Sequence, residues 1–539
     1  MNKKFLIISF LTIALMVSCN DRKSADHTDL GYIMTVVRSN PEPVVDKDHP
    51  GSRDNDRGYE NGHVIKVDGV YHMLMTELFD NRYYPDLYAW LPARLGYWKS
   101  ADGDHWERVC TIAQGTASGR SDDLNDPYCA TWSSSWYWNE EENRWNIIWR
   151  GCRWYWRYQS VIEGPEGFAG PYSEVSKLLP PLMDMQTQQW DDANVASFGN
   201  IYIAEDGKYY SFLSGGYPTT ARDPQWVNTL GCADSIDGPW TRVYDPDAHP
   251  TFMYSENPFV NIYEINGKKV YFCVYDDLSS QHSLGYGYSL DGIHWTGNTL
   301  DLTGYTDWAM NEFWVESIRT PCCLIREDDG TYTIIFTACG KDGYFSIARI
   351  NVAITEVKKP SGEHVVFPGD IQNWKALNGN FEVQYGREYS CFDGGNSVFT
   401  AATYTDVTVE ASLRCVNQER IFDPTANWDP MAKAGVYVRK TSVEDKPGEG
   451  KSGYYAYLTA NETVQLYAGD QLLSEVTVGK RPAIFRKLKM SVKGNRIRVY
   501  YGGDTKPCID VKDNTYKGKG YVGIDVYQSH WHYERIEIY

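Results

Sequence analysis

The feature that most constrains this chain is an internal repeat. A strand-like segment, a tight turn and an aromatic-rich strand-like segment recur at Val64–Met75, Ser135–Trp149, Ile201–Leu213, Ile262–Val274 and Cys323–Phe336. The turn glycines stand at positions 69, 207, 267 and 330, and Asn143 fills the remaining copy, so the step is 60 to 74 residues. Asp-Gly and Asn-Gly supply the positive φ that a tight hairpin turn needs. A second element, Ser-x-Asp-Gly followed by a tryptophan, recurs at Ser100–Trp106, Ser235–Trp240 and Ser289–Trp295, with a degenerate copy around Gly164–Tyr172. It reads as an outer-strand turn. A step of this length holds a four-stranded blade with its loops, so five units between residues 31 and 358 predict an all-β, five-bladed β-propeller. A double sandwich would not explain the constant step.

In a propeller the first strand of every blade lines a central funnel, so the residues entering those strands converge. Here they are acids: Glu60, Asp126, the pair Asp191 and Asp192, Glu256 and Glu316, spaced by 66, 66, 64 and 60 residues when the pair is counted at Asp192. One acid at a strand entry is usually a turn cap. Five at equivalent places crowd negative charge at one mouth, which raises some carboxyl pKa values and suits acid/base chemistry. Arg319, His63, His282 and the aromatic neighbours Trp132, Trp190 and Trp314 join the candidate site. For Arg319 the structural alternative is a salt bridge to Glu316; for the histidines it is ordinary packing. No cofactor is required. Carboxylates also suit a structural Ca²⁺, although no EF-hand loop is present.

The blade hairpins, the Ser-x-Asp-Gly turns and the entry acids together resemble the five-bladed glycoside hydrolases of family 43 and its relatives in families 32 and 117. The resemblance covers roughly residues 31–358. It implies a general acid at Glu256, in Ser-Glu-Asn-Pro-Phe, and a pKa-tuning acid at Asp192 with Asp191 as competitor. It also implies a general base from blade one. That base is open: Glu60 stands there, as do Asp54 and Asp56, whereas the Asn-Asp-Pro of Asp126 falls in blade two. Asp126, Asp191, Glu316, Arg319, His63 and Trp190 would then contact a glycan substrate. The family inverts configuration, which implies carboxyls roughly 6.5–9.5 Å apart. A glycan-binding protein without catalysis, or a polysaccharide lyase using Arg319 and His63, are the rival readings.

Beyond a linker at residues 359–369, alternating segments over 370–539 predict a second all-β unit, a two-sheet sandwich resembling the concanavalin/laminin-G or jelly-roll type. They include Tyr404–Ala411, Ala434–Arg439, Gly453–Leu458, Lys487–Val492, Arg496–Tyr501 and Tyr521–Tyr527. Trp374 and the Trp531–Tyr533 cluster suit either a sugar platform or core. At the other end, Lys3 and Lys4 precede the apolar run Phe5–Val17, and Ser18 precedes Cys19. This reads as a secretory signal over residues 1–19 resembling a bacterial lipobox, with lipid attached at Cys19 and a tether over 20–30. The expectation is an outer-membrane lipoprotein, periplasmic or surface-displayed. It would touch the membrane only through its anchor. The abundance of aromatics, 19 Trp and 41 Tyr, suits sugar stacking, and a net charge of −19 argues against nucleic acid. Twelve cysteines without a CxxC pair do not suggest a zinc site.

Overall fold

The computed structural model describes residues 30–78, 93–115, 126–128, 131–151, 155–178, 195–216, 226–243, 252–253, 255–277, 283–302, 314–358, 365–367, 371–384, 388–415, 431–444, 450–478, 486–528 and 531–539. Cys19, Trp190, Asp191, Asp192 and His282 lie outside them. Among the described residues the secondary structure is β-strand with three short 3-10 turns, and no helix is long and apolar enough to cross a membrane.

Five antiparallel blades form the first unit, in four sheets, because a parallel pairing of Gly58 with Phe345 joins blades one and five into one sheet. Blade one runs Gly58–Val67, Val70–Leu78, Ala93–Ser100 and Glu107–Gln114; blade two runs Trp132–Asn139, Arg144–Arg150, Tyr155–Ser160 and Tyr172–Leu178. Blade three is built on Val195–Phe198, Tyr209–Gly216, Trp226–Ala233 and Thr241–Arg242. Blade four is Ser255–Ile265, Lys268–Asp277, Ser283–Ser289 and Thr296–Asp301. Blade five takes three strands from its own repeat, Val315–Pro321, Tyr332–Gly340 and Phe345–Lys358. Its fourth, Leu30–Ser39, comes from ahead of the first repeat and pairs antiparallel with Phe345–Lys358. The chain thus closes the ring by stitching its early strand onto the last blade.

Contacts between neighbouring blades run round the ring. The His63 ring accepts from the Trp136 backbone N–H at 2.9 Å, joining blades one and two, and Tyr155 packs on Phe198 between two and three. Asn200 exchanges two bonds of 2.7 Å with the backbone of Val260, joining three and four. Leu324 donates to Asn261, and Val64 donates to the carbonyl of Cys322, which completes the circle. Gly58 is required where blade one meets blade five. With φ 102°, a Cβ there would lie 2.0 Å from the Phe345 carbonyl oxygen.

The expected turns are present. Gly69, Gly207, Gly267 and Gly330 all have φ between 75° and 84°, and Asn143 takes 50°. In blades one and four Asp68-Gly69 and Asn266-Gly267 are both at positive φ between directly paired strands, the type I′ signature. The Ser-x-Asp-Gly turns do more than reverse the chain: each fastens its blade to the preceding one. From blade one, the Asp102 carbonyl and the Asp104 carboxylate accept from Arg349 of blade five at 2.7 and 2.8 Å. From blade three, Asp237 takes a two-pronged pair with Arg157 of blade two, both at 2.7 Å. From blade four, the Gly292 carbonyl accepts from Tyr202 of blade three at 2.7 Å.

The second unit is one thirteen-stranded sheet folded on itself around a large apolar core. Trp374, Trp531, His532 and Tyr533 are buried, so they are core rather than a surface platform. Two sequence expectations need correcting. The segment expected as one strand from Tyr404 turns at Thr405–Asp406, and the strand itself is Val407–Cys415. Val365–Phe367, inside the expected linker, already pairs with Trp531–Ile538.

Candidate active site

The entry strands of blades one and four are built alike. Each carries Glu-Asn, Glu60-Asn61 and Glu256-Asn257, and both asparagines sit in the left-handed region at φ 55° and 51°. Strand register slips at the same place, between Glu60 and Gly62 and between Glu256 and Phe259. A bulge of this kind bends the strand and re-aims side chains; asparagine tolerates the required φ better than most residues. Below the acids, Asn61 donates to Asn257 at 2.6 Å and Asn257 to Thr320 of blade five at 3.1 Å. All three are buried. Only the axis of the ring brings these three blades within hydrogen-bond reach of one another.

Above that layer lies a charged one. Arg319 of blade five bonds Glu60 of blade one at 2.5 Å, and its guanidinium also feels Asp276 and Glu256. Glu60 above all, with the other two acids, raises the Arg319 pKa further. Glu256 stands directly across the strand pair from Asp276. Such opposite positions share a face, with Cβ atoms about 5 Å apart. Burial pushes the Glu256 carboxyl up to about 7; Arg319 and Arg150 oppose that rise and Glu60 adds to it. Burial likewise pushes Asp276 up to about 8, against Arg319 and with Glu256, Glu60 and Asp277. Glu256 therefore lies within electrostatic reach of blades one, two and five. Asp276 is 2% exposed and its Oδ2 accepts no hydrogen bond. The Tyr155 hydroxyl, which Glu256 and Arg150 also influence, is buried without a bond.

These placements sort the sequence candidates. Glu60, Glu256 and Arg319 come together. Arg319 pairs with Glu60, not with Glu316, whose side chain is exposed. The strand register slips between Val315 and Ser317 and again between Ile318 and Pro321, so spacing along the strand does not pair the two. His63 is packed: its ring lies 4.3 Å from that of Phe259, its Nδ1 is used by Trp136, and burial pushes its pKa down to about 3. Asp126 caps a turn, accepting from the Tyr128 N–H at 2.9 Å. Asp54 and Asp56 are exposed. Trp132 and Trp314 are half-buried, and Trp314 packs on the core between blades four and five. Among the described residues no three metal-ligating side chains cluster. Asp276, Asn61, Asn257, Thr320, Arg150 and Tyr155 were not singled out from the sequence. The available signal was the repeated Glu-Asn and the Asp276-Asp277 pair ending an otherwise apolar strand.

An axis that holds the buried Glu60 and Asp276 and the half-buried Glu256 against one arginine has a group ready to give a proton near neutrality and another held by a cation. That is the division of labour of an acid/base pair.

No protein-family model matches the chain, and no curated protein matches it in sequence. Among solved structures, fructan 1-exohydrolase IIa from Cichorium intybus is 13% identical, covering 93% of this chain and 98% of its own, with a TM-score of 0.38. An engineered GH43 glycoside hydrolase with endo-xylanase and exo-arabinofuranosidase activity is also 13% identical, over 93% of this chain and 100% of its own, with a TM-score of 0.36. Carbohydrate-binding module CBM66 from Bacillus subtilis, 17% identical, covers 30% of this chain and 92% of its own with a TM-score of 0.24. At these scores the likenesses are distant, and the all-β architecture of propeller followed by sandwich stands on the strand order and ring contacts.

Proposed function

We propose that this protein is a glycoside hydrolase whose general acid is Glu256. The observation that supports this best is the axial position of Glu256, part-exposed and raised to about 7, across from Asp276 of its own blade and facing Glu60 and Arg319 from two others. In the protonated form it donates to the departing glycosidic oxygen. Glu60 is the leading base: Arg319 holds its carboxylate at the axis, where it can act on a water from the other side of the sugar. Asp54, Asp56 and Asp126 have poorer positions for that role. Asp192, with Asp191 beside it, remains the proposed pKa-tuning acid from blade three, and Trp190 a proposed substrate contact. Inversion is proposed with the family 43 resemblance, as is attachment to the outer membrane through Cys19. Pentose- and fructose-containing polysaccharides are the first substrates to try.

The deciding experiment sets wild type beside Glu256→Gln on a panel of plant, algal and microbial polysaccharides and aryl glycosides. The expected result is sugar release from at least one glycan by wild type, falling by about 10²–10⁴-fold in the variant. Proton NMR of the first product anomer then reads inversion or retention. Products absorbing in the ultraviolet would instead identify a lyase. Binding to a glycan with no product from any of them would sink the hydrolase reading in favour of a binding protein.

A further inference from the structure

The sandwich carries a second built cluster, on the face of its sheet that looks away from the core. Strands Gln471–Thr477, Thr463–Ala468, Tyr454–Thr459, Lys433–Lys440 and Gly520–Tyr527 lie side by side in that order. Alternate residues Ala434, Val436, Ala456, Leu458, Val464, Leu466, Ile524 and Val526 fill the core. On the other face the cross-strand register aligns Glu475, Gln465, Tyr457, Gly435 and Asp525 in one row. Gly435 has no side chain, so Tyr457 and Asp525 meet over it, at 2.5 Å from hydroxyl to carboxylate. Lys451 closes the triangle at 2.7 Å from Asp525.

Lys433 is the group this arrangement leaves incomplete. Its ammonium sits 4.7 Å over the ring of Tyr457, 4.6 Å over Tyr467 and 5.9 Å over Tyr527. Its acceptors are both neutral and both distant, the Gln465 amide oxygen and the Tyr467 hydroxyl at 3.3 Å each. Among the described residues it forms no ion pair. Burial, helped by Lys451, pushes its pKa down. An ammonium has three protons to give, and one kept half out of water among aromatic rings gains from a further oxygen acceptor. Tyr527 is 46% exposed beside it, which leaves an aromatic edge open for the C–H face of a ring.

We propose that this face is a saccharide-binding site, separate from the propeller funnel. Tyr467 and Tyr527 would take the apolar face of a sugar, while Lys433, Gln465 and Glu475 would take its hydroxyls. The fixed charges balance, Lys433 and Lys451 against Asp525 and Glu475, so the ligand is a neutral glycan. The site does not depend on the propeller being a hydrolase.

The test is affinity electrophoresis of the full chain carrying Glu256→Gln, so that no probe is degraded. The probes are arabinoxylan, levan and galactan, with polygalacturonate as the acidic comparison. Retardation by at least one neutral polysaccharide is expected, and Lys433→Met or Tyr527→Ala should each weaken it tenfold or more. Melting temperature and circular dichroism show that the variants fold, and Lys433→Arg should retain part of the affinity. Three results would overturn the assignment: no retardation by any neutral glycan, retardation by polygalacturonate alone, or equal retardation of wild-type and substituted faces. The last would place binding in the funnel.

Discussion

Two arginines in this molecule, the buried Arg439 and the half-buried Arg319, are treated differently. In the sandwich, Arg439 has a side chain 1% exposed and gives its protons to the carbonyls of Thr405, Tyr516 and Gly494 at 2.7, 2.7 and 2.8 Å. In the propeller, Arg319 gives one bond to Glu60, leaves its Nε without a bond and faces two further carboxyls. Arg439 ties three loops together chiefly through carbonyls, which do not titrate, and adds one long contact to the exposed Asp406 carboxylate at 3.4 Å. Arg319 sits among groups whose charge depends on pH and which outnumber it. The first arrangement is what a structural cation needs; the second keeps protons available near neutrality, at some cost in stability.

Removing each side chain separates the two. Arg319→Leu leaves Glu60 at the axis without its cation; breaking a buried pair costs about 3–5 kcal/mol, and with Arg319 itself 31% exposed the loss is about 2–3 kcal/mol. The loss should be largest at pH 8 and shrink toward pH 5, where the stranded carboxyls can take protons. Arg439→Leu strands three carbonyls, for about 2–3 kcal/mol; its cost should be level between pH 5 and 8. Chemical denaturation at both pH values is the measurement. A flat pH dependence for Arg319→Leu would mean that Arg319 is structural in the same sense as Arg439.

Asp276→Asn sharpens the same contrast with the opposite sign. A carboxyl whose pKa is raised by folding binds its proton more tightly in the native than in the unfolded chain. Stability is therefore highest below the unfolded value and is lost as pH rises toward the folded one. For Asp276 that window runs from the ordinary carboxylate range up to about 8. Asparagine has no charge to bury, so the variant should be more stable than wild type at pH 8, by on the order of 2 kcal/mol, with the gain fading toward pH 4. Glu256, in turn, raises the Asp276 pKa through its charge. The alkaline limb of activity, expected near pH 7 from Glu256, should stay in place in the variant, because Asp276 has the higher pKa and still carries its proton there. A limb moved by a full unit would mean that the two carboxyls titrate as one coupled pair.

What could be read from the chain and what could not follow from how contacts are made. Turn residues act locally, so the glycines at 69, 207, 267 and 330 located the blades. A repeated acid at each strand entry was enough to nominate Glu60 and Glu256. Asp276 was not legible because it sits twenty residues beyond Glu256 in the chain. The two meet through a cross-strand register that the bulge at Asn257 sets. For Arg319 the sequence offers its neighbour Glu316 only as the structural alternative, and the partner it takes, Glu60, lies across the ring, because spacing along one strand does not record what faces it over an axis. The closing strand Leu30–Ser39 was missed for a related reason: it belongs to the last blade while preceding the first.

The smallest effect tests whether the five hairpins are one device. A Cβ on Gly69 or Gly267 would touch nothing within 4 Å, so substitution there is a matter of φ alone. Gly267→Ala should cost about 1 kcal/mol, the price of holding alanine in the left-handed region, and Gly267→Asn should cost less than half of that. Asn143, at φ 50° in blade two, already makes that exchange. Asn143→Ala should then cost about as much as the asparagine-to-alanine difference measured at position 267. If it costs nothing, the blade-two turn relaxes out of the left-handed region, and Asn143 is in that blade a tolerated residue rather than the equivalent of the four glycines.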